Sequence, residues 1–112
     1  MKLIGIANEY DIPNGNSVVG RKFEDSMVGR RLDKSGATIQ IEEYGMEGIS
    51  RYHCQLENHE EILRIRDSGS KNGTYINNEK MDPHKLYQLN NSDLLRLGDC
   101  TLEVKIKPGL FG

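Results

Sequence analysis

Hydrophobic and polar residues alternate with a period of two along much of this chain, and no segment keeps the 3.6-residue spacing of an amphipathic helix. Near the C-terminus, Leu102, Val104 and Ile106 share one face, and the residues between them are polar. The segments 37–42 and 52–57 alternate in the same way. Because a strand places successive side chains on opposite faces, each of these segments predicts a strand with one buried side.

Clusters of glycine, asparagine, aspartate and serine separate the short segments, and these residue types favour tight turns. Further strands are predicted at residues 2–7, 18–23, 26–30, 61–66, 74–76 and 94–97. An isolated hairpin cannot bury its apolar side, so many short strands indicate a sandwich or a small barrel. The sequence therefore predicts an all-β fold.

The length of 112 residues is near the commonest domain size, so we expect one domain over residues 1–107 and a tail or linker over 108–112. With 36% hydrophobic and 29% charged residues, the chain is polar but still has the composition of a folded domain. No apolar run approaches the roughly 20 residues of a membrane span, and the first residues lack a signal-peptide pattern. We therefore expect no membrane association and a cytoplasmic location.

The formal net charge is -2, and basic and acidic residues are interspersed. Nucleic-acid binding is not expected, because no aromatic stacking series accompanies the basic residues. Cys54 and Cys100 lie in unrelated contexts without a CxxC spacing, which predicts two reduced, buried thiols. Neither a metal ion nor another cofactor is expected.

Two loops are predicted to meet at one end of the sandwich. Ser50 and Arg51 precede one strand out and one strand back, and two antiparallel passes return the chain to the same end. Lys71 and Asn72 follow the second pass, in a turn where Asn72 and Gly73 tolerate positive φ. The hydroxyl, amide, guanidinium and ammonium groups gathered there are donors without an obvious base. They suit a dianionic, tetrahedral ligand better than a reacting carbonyl.

Four motifs, in their order and spacing, resemble those of the forkhead-associated (FHA) domain family. They are Gly29-Arg30, SRYH at 50–53, DSGSKNGT at 67–74 and LLRLG at 94–98, within a resemblance that covers about residues 18–107. The resemblance implies a β-sandwich of about eleven short, mostly antiparallel strands whose end loops bind phosphothreonine peptides. We therefore expect a monomeric signalling module that acts by protein–protein interaction on kinase substrates, and not an enzyme.

The resemblance also implies the contacts of the phosphopeptide. Arg30 would contact the phosphate or the peptide backbone and support the pocket. Ser50 would bond a phosphate oxygen, and Arg51 would be a second donor beside it. Asn72 would hold the peptide backbone next to the phosphothreonine, while Lys71 supplies positive charge from the facing loop.

Other residues would support the site. Gly29 precedes the arginine in its motif, His53 would bond between loops and hold the serine in place, and Gly73 and Thr74 would fix the turn. A second Gly-Arg pair at 20–21 better resembles the strand before the motif, so Arg30 is preferred. One departure from the family pattern is a serine in place of glycine before Asp93, which affects only a turn.

Three other interpretations of these residues remain. Ser50 with His53 could be a nucleophile and base, but no GxSxG elbow or orienting acid accompanies them. His53, Cys54 and His59 could suggest a metal, but neighbours on a strand point to opposite faces. The main alternative is the same sandwich used as a phosphate-independent interaction or self-assembly domain, since fold does not fix function.

Overall fold

A computed structural model of this protein describes residues 1–22 and 38–106. The predicted tail and the predicted strand at 26–30, which includes Gly29 and Arg30, lie outside the described residues. The roles expected for these two residues therefore stay predictions.

The described residues form eleven β-strands in two packed sheets, with one short 3₁₀ helix. In chain order the strands are β1 (Lys2–Ile4), β2 (Glu9–Asp11), β3 (Gly15–Arg21), β4 (Ile39–Ile41), β5 (Cys54–His59), β6 (Ile62–Asp67), β7 (Thr74–Ile76), β8 (Glu79–Lys80), β9 (Leu86–Leu89), β10 (Leu94–Leu97) and β11 (Cys100–Lys105). The 3₁₀ helix, Met46–Gly48, lies between β4 and β5. The prediction of an all-β sandwich of about eleven strands is confirmed.

The first sheet has the strand order β2-β1-β11-β10-β7-β8, and the second has the order β4-β3-β5-β6-β9. Strand pairing is antiparallel throughout the described part of both sheets, except between β3 and β4. In this parallel pair Arg21 lies opposite Ile41, so the two strands end side by side. Both ends point toward the loop that leads into β5.

The core lies between the sheets and consists of the inward-facing apolar side chains of both. Those without exposed surface include Leu3, Val19, Ile41, Leu56, Leu63, Ile65, Leu95, Leu97, Leu102 and Val104. This core supplies most of the driving force for folding, because burying apolar surface stabilises by about 25 cal/mol per Å². The loops at the ends of the sandwich can therefore carry polar groups without interrupting the core.

The alternating pattern located the inner strands but missed β2, β8 and β9. All three are edge strands of their sheets, and β8 contains only two residues, both exposed. An edge strand packs against one neighbour only, so its side chains are under weaker pressure to alternate. The alternation of apolar and polar residues is therefore weaker in these three edge strands than in the inner strands.

The predicted strand at 52–57 begins two residues later, at Cys54. Tyr52, expected to face inward, is 45% exposed, whereas His53, expected to face outward, is fully buried. The chain enters β5 through a turn at 51–52, so the two-residue alternation does not extend back to these positions. His53 is therefore buried between the β4–β5 loop and the β6–β7 turn.

Among the described residues, no helix has the length and apolar character needed to cross a membrane. Nor do these ranges of the chain contain a group of three or more His, Cys, Asp or Glu side chains arranged to hold a metal ion. Cys54 and Cys100 are both free and buried. Burial raises the pKa of the Cys54 thiol, and the nearby Asp67 carboxylate raises it further.

Candidate functional site

Ser50 lies in the β4–β5 loop and is held by three hydrogen bonds. Its N–H donates to Nδ1 of His53 at 2.9 Å, and its carbonyl oxygen accepts from the N–H of Arg21 at 3.1 Å. Its Oγ accepts from the N–H of Lys71 at 3.1 Å. A hydroxyl group has one hydrogen to donate, and none of these three bonds uses it. Ser50 is therefore a fixed side chain that can donate to a ligand.

His53 connects the two loops that carry the predicted site. While Nδ1 accepts from the N–H of Ser50, Nε2 lies 3.0 Å from the carbonyl oxygen of Gly73. A backbone N–H only donates and a carbonyl only accepts, so the ring is neutral with its proton on Nε2. Burial lowers the pKa of His53 below its usual value of 6.5, although the Gly73 carbonyl and the Asp67 carboxylate oppose this.

The turn between β6 and β7 is organised by the buried carboxylate of Asp67. One oxygen accepts from the N–H groups of Gly69 and Ser70 at 2.9 and 3.0 Å. The other accepts from the hydroxyls of Ser70 and Thr74, both at 2.6 Å. Burial alone would raise the pKa of Asp67, but these four hydrogen bonds lower it below its usual value of 3.8. A charged carboxylate therefore fixes the backbone that presents residues 71 and 72.

Asn72 is anchored to the facing loop. Its Nδ2 donates to the carbonyl oxygen of Gly48 at 2.9 Å, and the N–H of Gly98 donates to the carbonyl oxygen of Gly73 at 3.3 Å. Gly98 has φ +62, and a Cβ there would collide with the Gly48 carbonyl. Three loops, β4–β5, β6–β7 and β10–β11, thus meet around the exposed side chain of Asn72.

The second Gly-Arg pair, which the sequence analysis set aside, lies beside Ser50. Gly20 packs so closely on the segment 50–51 that a Cβ there would overlap the carbonyl oxygen of Arg51. Arg21 ends β3, is partly buried and donates its backbone N–H to Ser50. The sequence analysis missed this contact because it took the pair for the strand before the motif. The pattern along the chain could not show that β3 and β4 are parallel and end on the same side.

The structure brings together Ser50, Arg51, Lys71 and Asn72, as the count of strands beyond Arg51 predicts. The side chains at 51, 71 and 72 are exposed, and Ser50 is half-buried. The contact between His53 and Ser50 goes through the backbone N–H and not through the hydroxyl, so this histidine does not activate Ser50 as a nucleophile. The four residues form a donor-rich group, in which hydrogen bonds hold Ser50 and Asn72 in place.

A family model described as FHA domain matches residues 18–98 of the chain. An FHA domain-containing protein of Arabidopsis thaliana is 34% identical over 82 residues, which cover 65% of this chain and 21% of that protein. The solution structure of the FHA domain of an Arabidopsis thaliana hypothetical protein has a TM-score of 0.72 and 27% identity, covering 96% of this chain and 86% of that one. The crystal structure of the MEK1 FHA domain in complex with a HOP1 phosphothreonine peptide has a TM-score of 0.68 and 21% identity, with 96% of each chain covered.

The chain belongs to the FHA domain family, and the resemblance inferred from its four motifs is confirmed. It spans 10% to 29% of the length of the curated relatives that it matches. Three of these relatives are named as E3 ubiquitin-protein ligases. In two of them, RNF8 of Bos taurus and the probable ligase dma1 of Schizosaccharomyces pombe, the matched part is 10% and 28% of their length. The match to the ligases concerns their FHA part alone.

Proposed function

We propose that this domain binds phosphothreonine peptides of kinase substrates through the loops that meet around Ser50 and Asn72. The observation that carries the proposal is the position of Ser50, whose backbone is held on both sides while its hydroxyl hydrogen is left to donate. A phosphothreonine carries about two negative charges and three acceptor oxygens, which match fixed donors and cations. In this role Asn72 contacts the peptide backbone, and Arg51 and Lys71 supply positive charge.

Arg21 has, in this proposal, the role that the sequence motif implied for Arg30, which is contact with the phosphate or the peptide backbone. Its backbone is bonded to Ser50, and Gly20 before it allows β3 to pack directly against the Ser50-Arg51 backbone. A side chain that starts from this strand end can reach a phosphate held by Ser50. The role of Gly29 and Arg30 stays a separate prediction, because both lie outside the described residues.

Family membership supports this function, since FHA domains of the same fold include the MEK1 domain solved with a phosphothreonine peptide. The donor-rich site without an activated nucleophile favours binding over catalysis. The competing function, a phosphate-independent interaction or self-assembly, does not explain why Asp67, His53 and Gly98 together hold Ser50 and Asn72 in fixed positions.

The test is a degenerate phosphothreonine peptide library screened against the domain, followed by calorimetric titration of a selected peptide and its unphosphorylated twin. We expect dissociation constants around the micromolar range for the phosphopeptide, because a few charge-assisted bonds are offset by the ordering of a flexible peptide. Equal binding of the twin would contradict the proposal and favour the phosphate-independent function.

A further inference from the structure

Three side chains form a lateral row across the outer face of the first sheet, on neighbouring strands β10, β7 and β8. Tyr75 lies directly opposite Arg96 on one side and directly opposite Lys80 on the other. The guanidinium carbon of Arg96 is 3.8 Å from the centroid of the Tyr75 ring. Thr74 and Leu95, the neighbours of Tyr75 and Arg96 along their strands, are fully buried, so the row faces solvent. We call it the Arg96–Tyr75–Lys80 row.

The row borders the candidate site through Gly73, the residue after Asn72. A Cβ on Gly73 would lie 3.0 Å from Cε and 3.8 Å from Nζ of Lys80, so the lysine stem covers this glycine. Arg96 donates from Nη1 to the carbonyl oxygen of Gly98 at 3.0 Å, and the N–H of Gly98 bonds to Gly73. Lys80 packs against Gly73, and Arg96 is joined to Gly73 by hydrogen bonds through Gly98. Both cations therefore lie beside the backbone that presents Asn72.

Within the parts of the chain that the structure describes, neither Arg96 nor Lys80 forms an ion pair with a carboxylate. Glu79 precedes Lys80 in β8, so the alternation of a strand directs it to the other face. Arg96 gives one of its five N–H donors to Gly98, and its stacking on Tyr75 holds the remaining donors in a fixed plane.

Two carboxylates also lie near Asn72. Glu47 and Asp99 are both exposed, and the N–H of Asp99 lies 3.4 Å from the position of a Cβ on Gly48, which accepts the Asn72 amide bond.

We infer that the Arg96–Tyr75–Lys80 row binds an anionic side chain of the phosphopeptide, on one flank of its phosphothreonine. This inference rests on the proposed function and names the class of peptide that the site prefers. Asn72 and Tyr75 are three residues apart, a span of at most about 10 Å, and an extended peptide advances about 3.3 Å per residue. The preferred anion therefore lies roughly two to four residues from the phosphothreonine. It is a carboxylate or a second phosphate.

The experiment is fluorescence anisotropy with matched phosphothreonine peptides. One set has neutral flanks, a second has glutamate at single positions up to four residues away on either side, and a third has phosphoserine at the same positions. The proteins are the wild type, Lys80→Glu, and Lys80→Glu combined with Arg96→Glu. Lys105→Glu is the matched control, because Lys105 is an exposed lysine on β11 of the same sheet, opposite Lys2.

We expect one flank, and only one, to show tighter binding of the glutamate peptides by about three- to tenfold over the neutral peptide. Phosphoserine at the same position should give a larger gain if the row takes a second phosphate, and an equal gain if it takes a carboxylate. Lys80→Glu should abolish the gain and leave the neutral phosphopeptide within about twofold, whereas Lys105→Glu should keep the gain. High salt should reduce the gain in the wild type.

Lys80 is exposed, so its substitution tests the inference even if the double variant fails to fold. Equal binding of neutral and acidic phosphopeptides would overturn the inference while leaving phosphothreonine recognition intact. A gain that survives in Lys80→Glu would also overturn it, by assigning the preference to another surface. Absence of binding to every phosphopeptide would remove the proposed function together with this inference.

Discussion

The side-chain oxygen of Ser50 accepts a hydrogen bond of 3.1 Å from the backbone N–H of Lys71, 21 residues further along the chain. This bond joins the β4–β5 loop to the β6–β7 turn through a hydroxyl oxygen and a backbone N–H, so it does not use the charged side chain of Lys71. Since both loops are also joined through His53, a ligand held by both meets a preformed surface. Preorganisation of this kind lowers the conformational entropy that binding costs.

Replacement of His53 by alanine should act mainly on the fold. It removes the acceptor for the N–H of Ser50 and the donor for the carbonyl of Gly73, and groups left unsatisfied in a buried place cost roughly 1 to 3 kcal/mol. The free energy of unfolding, measured with urea, should fall by about that amount. His59→Ala is the control, because His59 is exposed and its ring bonds to the exposed side chain of Asn16. An unchanged unfolding curve with abolished phosphopeptide binding would make His53 a ligand contact instead.

Stability should also fall as the solution becomes mildly acidic. Burial keeps the pKa of His53 lower in the folded chain than the value of 6.5 expected when it is unfolded, so below this pH the unfolded chain binds the extra proton first. The free energy of unfolding should therefore decrease below about pH 6.5, by at most ~1.4 kcal/mol per pH unit, until the folded-state pKa is passed. Urea unfolding between pH 8 and pH 5 measures this slope. The slope should be smaller in His53→Ala, and an identical slope would assign it to other groups.

Ser92→Gly should stabilise the domain. Ser92 has φ +74, a left-handed backbone conformation that costs a non-glycine residue roughly 1 to 2 kcal/mol, and its side chain is exposed. The N–H of residue 92 bonds to the carbonyl oxygen of Val104 in either variant. We expect a gain of about 0.5 to 1 kcal/mol in the free energy of unfolding, after the greater flexibility of glycine in the unfolded chain is included. A loss of stability would mean that the flexibility of glycine outweighs the relieved strain.

Two variants, Arg21→Ala and Arg30→Ala, decide which of the two arginines contacts the phosphopeptide. Arg21→Ala should weaken phosphopeptide binding about tenfold or more, because Arg21 follows the glycine that packs on the Ser50-Arg51 backbone. Thermal unfolding first establishes that both variants fold. If Arg30→Ala causes the larger loss in calorimetric titration, the assignment made from the sequence motif is right and the one made from strand ends is wrong.

Strand alternation and turn residues predicted the inner strands of both sheets and the meeting of Ser50 with Lys71. They could not predict that β3 and β4 are parallel, because periodicity reports which face a residue takes and not which strand it pairs with. The Gly20-Arg21 pair was therefore taken for the strand before the motif, and its place beside Ser50 was missed. The Arg96–Tyr75–Lys80 row was missed for a related reason, since its register joins β10 to β7 across 21 residues of sequence.

The most direct test of the central claim is calorimetric titration of wild type, Ser50→Ala and Asn72→Ala with one phosphothreonine peptide and its unphosphorylated twin. Both side chains lie in end loops, so the variants should remain folded, which thermal unfolding checks. The account predicts micromolar binding of the phosphopeptide to wild type, no measurable binding of the twin, and a loss of about tenfold or more in each variant. Equal binding of phosphopeptide and twin, or full affinity in both folded variants, would contradict it.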